Sequence, residues 1–180
     1  MKTTKFISQY LRHLSRGQGA FPLEKPILRV LIVEDQEPMR KYIATKLRRK
    51  LQLRIVAEVA VGADAVQKAE ELRPDLIVMD VGLPRLDGIE ATRRIQKVHP
   101  KSKILFVTEN CCPDVAEEAL RSRGLGYVFK SNAEEDLLPA VDAVLRSKRL
   151  ISFGLAGKLP RGRRSHRIGR VLRPEGNAKI

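Results

Sequence analysis

The stretch that decides the fold lies near the middle of the 180-residue chain and reads Asp75-Leu76-Ile77-Val78-Met79-Asp80-Val81-Gly82-Leu83-Pro84-Arg85-Leu86-Asp87-Gly88-Ile89-Glu90. Its apolar run, 76–79, lies between a proline before it and a glycine and a proline after it. A short apolar run without polar alternation is typical of a strand buried on both faces of a parallel sheet. The run ends at Asp80, and ligands of open α/β sheets bind beyond the carboxyl ends of the strands. The sequence therefore places Asp80 at a candidate functional edge, although a turn or capping residue would look the same in isolation.

Apolar strands and amphipathic helices alternate on both sides of this stretch. The predicted strands are 27–33, 53–59, 76–79, 103–107 and 127–129, and the predicted helices are 37–50, 63–73, 87–98, 114–121 and 132–146. This alternation predicts right-handed crossovers and a five-stranded parallel sheet with helices on both faces. Because Pro139 lies inside the last helical pattern, we expect a kink or a later helix start there.

The formal net charge of +14 is concentrated at the two ends of the chain. Residues 1–26 carry five basic residues and one acid, and residues 148–180 carry ten basic residues and one acid. The central part, 27–147, has 20 basic and 19 acidic residues and is nearly neutral. We therefore expect three parts: a basic N-terminal extension (1–26) with a possible short amphipathic helix and a linker, a central domain (27–150), and a basic Gly/Arg-rich, disordered tail (151–180).

Several protein classes are disfavoured by composition. No apolar run approaches the roughly 18 residues of a membrane span, and the N-terminus lacks the apolar core and cleavage site of a secretory signal. Cys111 and Cys112 are adjacent and could form a bond with each other only under strain, so we expect free thiols in a reducing cytoplasm. Packing, rather than redox chemistry, is the favoured role for the pair.

Polar residues stand at four predicted strand ends. They are Glu34 with Asp35, then Asp80, Thr108 and Lys130. Carboxylates that meet at one edge repel one another unless a cation joins them, and Mg²⁺ prefers a few carboxylates together with water and phosphate oxygens. A lysine and a hydroxyl on facing strands would complete a pocket for a phosphoryl group, and a carboxylate can accept that group itself. The alternative is four unrelated strand terminators.

These residues resemble a response-regulator receiver domain, the phospho-accepting half of bacterial two-component systems, and above all receivers of the NarL/LuxR type. The matching segments are Val33-Glu34-Asp35, Asp80 with Gly82-Leu83-Pro84 and Asp87-Gly88, Thr108, and Gly126-Tyr127-Val128-Phe129-Lys130. The resemblance covers about residues 27–150 and implies a flavodoxin-like (CheY-like), doubly wound sheet of five parallel strands.

The resemblance also implies residue roles. Asp80 would accept phosphate from a sensor histidine kinase, Lys130 would pair with the phosphoryl oxygens, and Thr108 would swing its hydroxyl onto them. Tyr127 would be a switch aromatic that turns inward once Thr108 moves.

The implied Mg²⁺ ligands are four groups: the carboxylates of Glu34, Asp35 and Asp80, and the backbone carbonyl of Gly82. The implied surface for a downstream protein partner consists of the 112–122 helix, the 127–129 strand and the 132–146 helix. A protein of this kind signals in the cytoplasm and is not an enzyme.

Three departures from the family pattern stand out. Glu109 follows the switch hydroxyl where a small residue is usual, and its carboxylate should restrict access to the phosphoryl pocket. Ser131 follows Lys130 in place of a common proline. The 34 residues from 147 to 180 cannot supply a helix-turn-helix domain of about 60 residues, so no such output domain is expected.

Three functional hypotheses follow. The first is a stand-alone phospho-acceptor that signals through protein contacts. The second is a transcription regulator or nucleic-acid binder that uses its basic tail, for which the Arg161–Arg167 cluster predicts only weak, salt-dependent and non-specific binding. The third is a degenerate receiver that is never phosphorylated and serves as an interaction platform.

Overall fold

The computed structural model describes residues 26–152 of the chain. The predicted N-terminal helix and the basic tail beyond Ser152 lie outside the described residues, and the division into three parts stays a prediction.

Six strands and five α-helices make up the described part of the chain. The strands are β1 (Leu28–Val33), β2 (Leu53–Val59), β3 (Leu76–Met79), β4 (Lys103–Thr108), β5 (Gly124–Phe129) and β6 (Leu150–Ile151). The α-helices are α1 (Glu37–Leu47), α2 (Gly62–Leu72), α3 (Gly88–Val98), α4 (Pro113–Arg121) and α5 (Ala133–Leu145), and a 3₁₀ turn, Lys130–Asn132, precedes α5.

The strands form one parallel sheet in the order β2-β1-β3-β4-β5-β6. Side chains of α2, α3 and α4 pack on one face of the sheet, and those of α1 and α5 pack on the other. Every residue of β3 is buried, because this strand lies at the centre of the sheet with a helical layer on each side. The predicted doubly wound α/β architecture is confirmed.

The predicted count of five strands is wrong by one. Leu150 and Ile151 pair in parallel with Gly126 and Tyr127 of β5 and add a sixth strand at that edge. Two residues are too few to show a periodicity of two, so the sequence pattern gave no sign of this strand.

Two element boundaries also differ from expectation. β5 begins at Gly124, three residues before the predicted strand, because its two glycines carry no hydrophobic signal. α5 begins at Ala133, so the expected later start at Pro139 is wrong and the proline lies inside the helix. Within residues 26–152, no helix combines the length and apolar character that crossing a membrane requires.

Candidate functional site

Four buried polar side chains stand where four of the parallel strands end. Glu34 follows β1, Asp80 follows β3, Thr108 ends β4 and Lys130 follows β5; we call this set the carboxyl edge. Their side chains are almost inaccessible to solvent, with residue exposures between 1% and 8%. Burying charged groups is costly unless they are paired, so the pairing within this cluster decides what it can do.

Lys130 joins the two buried carboxylates. Its Nζ donates a hydrogen bond to Glu34 Oε1 at 2.7 Å and another to Asp80 Oδ2 at 2.9 Å. One positive charge thus faces two negative charges in a site with little solvent, and the cluster retains an excess of negative charge when both acids are ionised.

Burial and the neighbouring charges shift the pKa values of Glu34 and Lys130. Burial, with the charge of Asp80 adding to it, raises the pKa of Glu34 to about 7 despite the hydrogen bond from Lys130. Burial alone would lower the pKa of Lys130, but its bonds to Glu34 and Asp80 raise it instead. Lys130 therefore stays charged at neutral pH, whereas the raised pKa leaves Glu34 partly protonated there.

The carboxylates also fit a divalent cation. One oxygen from each of Glu34, Asp35 and Asp80 lies within 4.8 Å of the others, and Asp35 is the exposed member of the group. The buried Oε2 of Glu34 has no hydrogen-bond partner within residues 26–152, so one acceptor remains available for a ligand. Hard oxygen donors of this kind suit Mg²⁺, which binds carboxylate and phosphate oxygens and keeps several waters.

The turn after β3 fixes the Asp80 carboxylate. The amide of Gly82 donates to Asp80 Oδ1 at 3.1 Å, while Lys130 holds the other oxygen. A Cβ on Gly88 would lie 1.9 Å from the carbonyl oxygen of Asp80, so only glycine allows α3 to start this close. Asp87, the preceding residue, caps that helix by accepting from the amides of Ile89 and Glu90.

Thr108 and Tyr127 are connected through the loop that follows β4. The amide of Asn110 donates to Thr108 Oγ1 at 3.2 Å, and the hydroxyl of Tyr127 donates to the carbonyl of Asn110 at 2.8 Å. Tyr127 is fully buried. The inward position expected only after movement of Thr108 is therefore already occupied in this structure.

Two residues that hold parts of the site in position were not identified from the sequence. Arg40 on α1 donates from Nη1 to the carbonyl of Glu34 at 2.7 Å and to that of Asp35 at 3.3 Å, which holds the acidic turn. Asn110 is the loop residue just described. Neither belongs to a strand-end pattern, and hydrogen bonds to backbone carbonyls leave no trace in residue spacing.

The loop after β4 also carries the residues that depart from expectation. Glu109 is exposed beside the carboxyl edge. Cys111 and Cys112 are free, as expected, but both are exposed, so the predicted packing role is wrong. Cys112 stands at the N-cap of α4, where the chain leaves the core and its side chain faces solvent.

Comparisons with known proteins found a matching family and similar proteins. The family model for the response regulator receiver domain matches residues 30–142. The chain is 32% identical over 133 residues to the response regulator GacA of Pseudomonas viridiflava, an alignment that covers 74% of this chain and 62% of that protein. It is 35% identical over 121 residues to the response regulator protein VraR of Staphylococcus aureus, covering 67% of this chain and 58% of that protein.

A solved structure shows the same fold. A LuxR-family two-component response regulator from Aurantimonas sp. SI85-9A1 superposes with a TM-score of 0.70 at 32% identity, covering 73% of this chain and 94% of that one. The chain thus spans about three fifths of the length of the curated relatives that it matches.

Proposed function

Because this chain belongs to the response regulator receiver domain family, we propose that Asp80 accepts a phosphoryl group from a sensor histidine kinase of a bacterial two-component system. The observation that carries this proposal is the buried Asp80 carboxylate, held through Oδ2 by Lys130 and through Oδ1 by the Gly82 amide. A carboxylate fixed at both oxygens is oriented for attack on phosphorus, and orientation lowers the barrier to such a step.

In the proposed step, a carboxylate oxygen of Asp80 forms a bond to phosphorus while the bond from phosphorus to the histidine nitrogen of the donor breaks. The electron pair of the broken bond stays with that nitrogen. Lys130 then lies beside the new acyl phosphate and pairs with its oxygens. Glu34, Asp35 and Asp80, with the Gly82 carbonyl, would hold Mg²⁺, which supplies positive charge against the phosphoryl oxygens.

The signal would leave the site through Thr108 and Tyr127. The oxygen of Thr108 accepts from Asn110, so its hydroxyl proton is available for a phosphoryl oxygen. A bond from the Thr108 hydroxyl to a phosphoryl oxygen would favour one conformation of the loop after β4, which also holds Tyr127. Local changes of charge of this kind shift the equilibrium of elements that have two conformations. We assign downstream protein binding to the surface that carries α4 and α5, where β6 covers the outer edge of β5. We place the protein in the cytoplasm as a signalling partner without substrate turnover of its own.

The test is incubation of the full chain with a small phosphodonor and Mg²⁺, followed by intact mass measurement. Asp80→Asn keeps the shape of the side chain and should lose all labelling. Asp75→Asn is the matched control at the opposite end of β3, where the carboxylate accepts from the backbone amide of Arg29. The control should label like the wild type.

Two outcomes would contradict the proposal. Full labelling of Asp80→Asn would show that another residue accepts the phosphoryl group. A wild-type chain that gains no mass, although it is folded and binds Mg²⁺, would favour the degenerate receiver, with Glu109 as the first residue to test.

A second candidate function rests on the charge of the C-terminal segment. Residues 148–180 carry ten basic residues and one acid, so weak electrostatic binding to nucleic acid is the expected activity of this segment. Such binding should be independent of DNA sequence and fall steeply as salt rises.

Deleting residues 156–180 should remove DNA binding and leave labelling of Asp80 unchanged. Titration of labelled duplexes of unrelated sequence at low and near-physiological salt tests this. Tight binding to one sequence at physiological salt would promote the transcription-regulator hypothesis above the stand-alone phospho-acceptor.

A further inference from the structure

The short strand β6 lies directly against the switch residue Tyr127. Ile151 pairs with Tyr127 in the sheet, and the amide of Ser152 donates to the Tyr127 carbonyl at 2.8 Å. Ile151 also packs against the apolar cluster that contains Tyr127. The backbone of Tyr127 is therefore held by β4 on one side and by β6 on the other.

Ser152 closes the contact at the carboxyl end of β5. It is only 1% exposed, and its hydroxyl donates to Asp136 Oδ2 on α5 at 2.6 Å. Ser152 Oγ also accepts from the amide of Phe129 at 3.3 Å, one residue before Lys130. Ser152 thus joins α5, β5 and β6 next to the lysine of the carboxyl edge.

A continuous set of hydrogen bonds runs from the site to this strand. Thr108 accepts from Asn110, Asn110 accepts from the Tyr127 hydroxyl, and Tyr127 accepts from the amide of Ser152. The residues that face the proposed phosphoryl group and the residues that begin the C-terminal segment therefore share one partner, Tyr127.

The contacts of β6 are weak enough for its pairing with β5 to be reversible. β6 has two residues with half-buried side chains, whereas β3 and β4 are almost wholly buried. Elements with few apolar contacts open at a small fraction of the global unfolding free energy. A small change in the conformational free energy of Tyr127 can therefore change the fraction of molecules in which β6 is paired, while the central strands stay in place.

We propose that Leu150–Ser152 is an output latch of the switch, paired with β5 when Tyr127 is buried, and that phosphorylation of Asp80 stabilises this pairing. The bond from Thr108 to a phosphoryl oxygen fixes the loop that holds the Tyr127 hydroxyl, which in turn keeps the carbonyl of Tyr127 facing Ser152. Coupling between two sites is reciprocal, so pairing of β6 also stabilises the phosphorylated state. This inference rests on the proposed function of Asp80.

Amide hydrogen exchange of Ser152, whose amide donates to the Tyr127 carbonyl, measures the latch in the full chain. We expect beryllofluoride with Mg²⁺, an analogue of the phosphoryl group, to slow exchange at this amide by about fivefold or more, the lower end of common coupling between sites. Binding of beryllofluoride is followed separately by fluorine NMR.

Ser152→Ala should shorten the lifetime of the acyl phosphate and remove most of the change in exchange. Ser102→Ala is the matched control, since Ser102 is also a buried serine, with its hydroxyl bonded to the carbonyl of Pro74 at the other end of the sheet. The control should keep both responses. Asp136→Asn weakens the same contact from α5 and replaces Ser152→Ala if that variant unfolds.

Bound beryllofluoride without any change in exchange at the Ser152 amide would overturn the latch and leave Asp80 as acceptor. An equal loss in Ser102→Ala would also overturn it, because the effect would then be general destabilisation. Absence of both beryllofluoride binding and phosphoryl labelling would instead overturn the function proposed for Asp80, and the latch with it.

Discussion

Polar groups at the two ends of the parallel sheet are satisfied in different ways. At the amino ends of the strands, the amino edge, Asp75 accepts from the amide of Arg29 and Ser102 donates to the carbonyl of Pro74. At the carboxyl edge, Lys130 bonds two side-chain carboxylates, and Glu34 Oε2 has no partner in the described part of the chain. Polar groups at the amino edge are paired within the fold. The carboxyl edge carries excess negative charge that a bound cation can neutralise.

This difference agrees with a general tendency of folded proteins. Groups with strongly shifted pKa values gather at functional sites, because burial and like charges are tolerated there for chemistry. Variants of matched residues at the two edges test this difference.

Lys130→Met should destabilise the fold more than Lys103→Met. Removing Lys130 leaves two buried acids without their cation, which costs about 3 kcal/mol in unfolding free energy. Lys103 donates to the carbonyl of Leu145 at 2.5 Å, a neutral acceptor, so its loss should cost about 1.5 kcal/mol. Urea unfolding at pH 8 measures both, and equal losses would mean that the two edges do not differ as argued.

Asp35→Asn should weaken Mg²⁺ binding roughly tenfold, because each carboxylate lost from such a cluster removes a negative charge from the ligand set. Asp75→Asn, which changes an acid at the amino edge, should leave affinity unchanged. Calorimetric titration of the full chain with Mg²⁺ distinguishes them. An unaltered binding curve for Asp35→Asn would place the metal elsewhere.

The pH dependence of stability should have opposite signs at the two edges. Glu34 has a pKa raised to about 7 by burial, so the native state binds its proton more tightly than the unfolded chain does. Its contribution to the unfolding free energy therefore falls as pH rises from about 4.5 to 7, by at most about 1.4 kcal/mol per pH unit. Glu34→Gln should remove this decline.

His99, at the end of α3 near the amino edge, should act in the opposite direction. Burial lowers its pKa, so the native state binds the proton more weakly and stability falls as pH drops below about 6.5. His99→Gln should remove that loss. Unfolding measured from pH 4.5 to 8 tests both variants, and a wild-type decline that persists in Glu34→Gln would assign it to another group.

Glu109→Ala should give the smallest change, an increase of about threefold in the rate of labelling by a small anionic phosphodonor, since exposed charges are strongly screened. Glu70→Ala removes another exposed acid, from the last turn of α2, which ends towards the amino edge, and should have no effect. Initial labelling rates at low and high salt provide the measurement. A rate that is unaffected by Glu109→Ala at low salt would show that this carboxylate does not restrict the pocket.

The sequence alone was sufficient for the architecture and for the composition of the carboxyl edge. Apolar strands alternating with amphipathic helices allow few arrangements other than a parallel sheet with two helical layers, because crossovers are right-handed. Parallel strands end at the same edge, so Glu34, Asp80 and Lys130 could be brought together from their positions along the chain. Their functional roles remain proposals that the variants above test.

Contacts between distant segments were decided by tertiary structure. The pairing of β6 with β5, the bonds of Ser152 to Asp136 and Phe129, and the exposure of Cys111 and Cys112 depend on how α5 and the loop after β4 pack. So does the difference between buried Glu34 and exposed Asp35, two adjacent acids that the pattern cannot separate. Periodicity records which face of an element is buried, whereas these features depend on which segment covers a given edge, and that is settled only when the whole sheet is assembled.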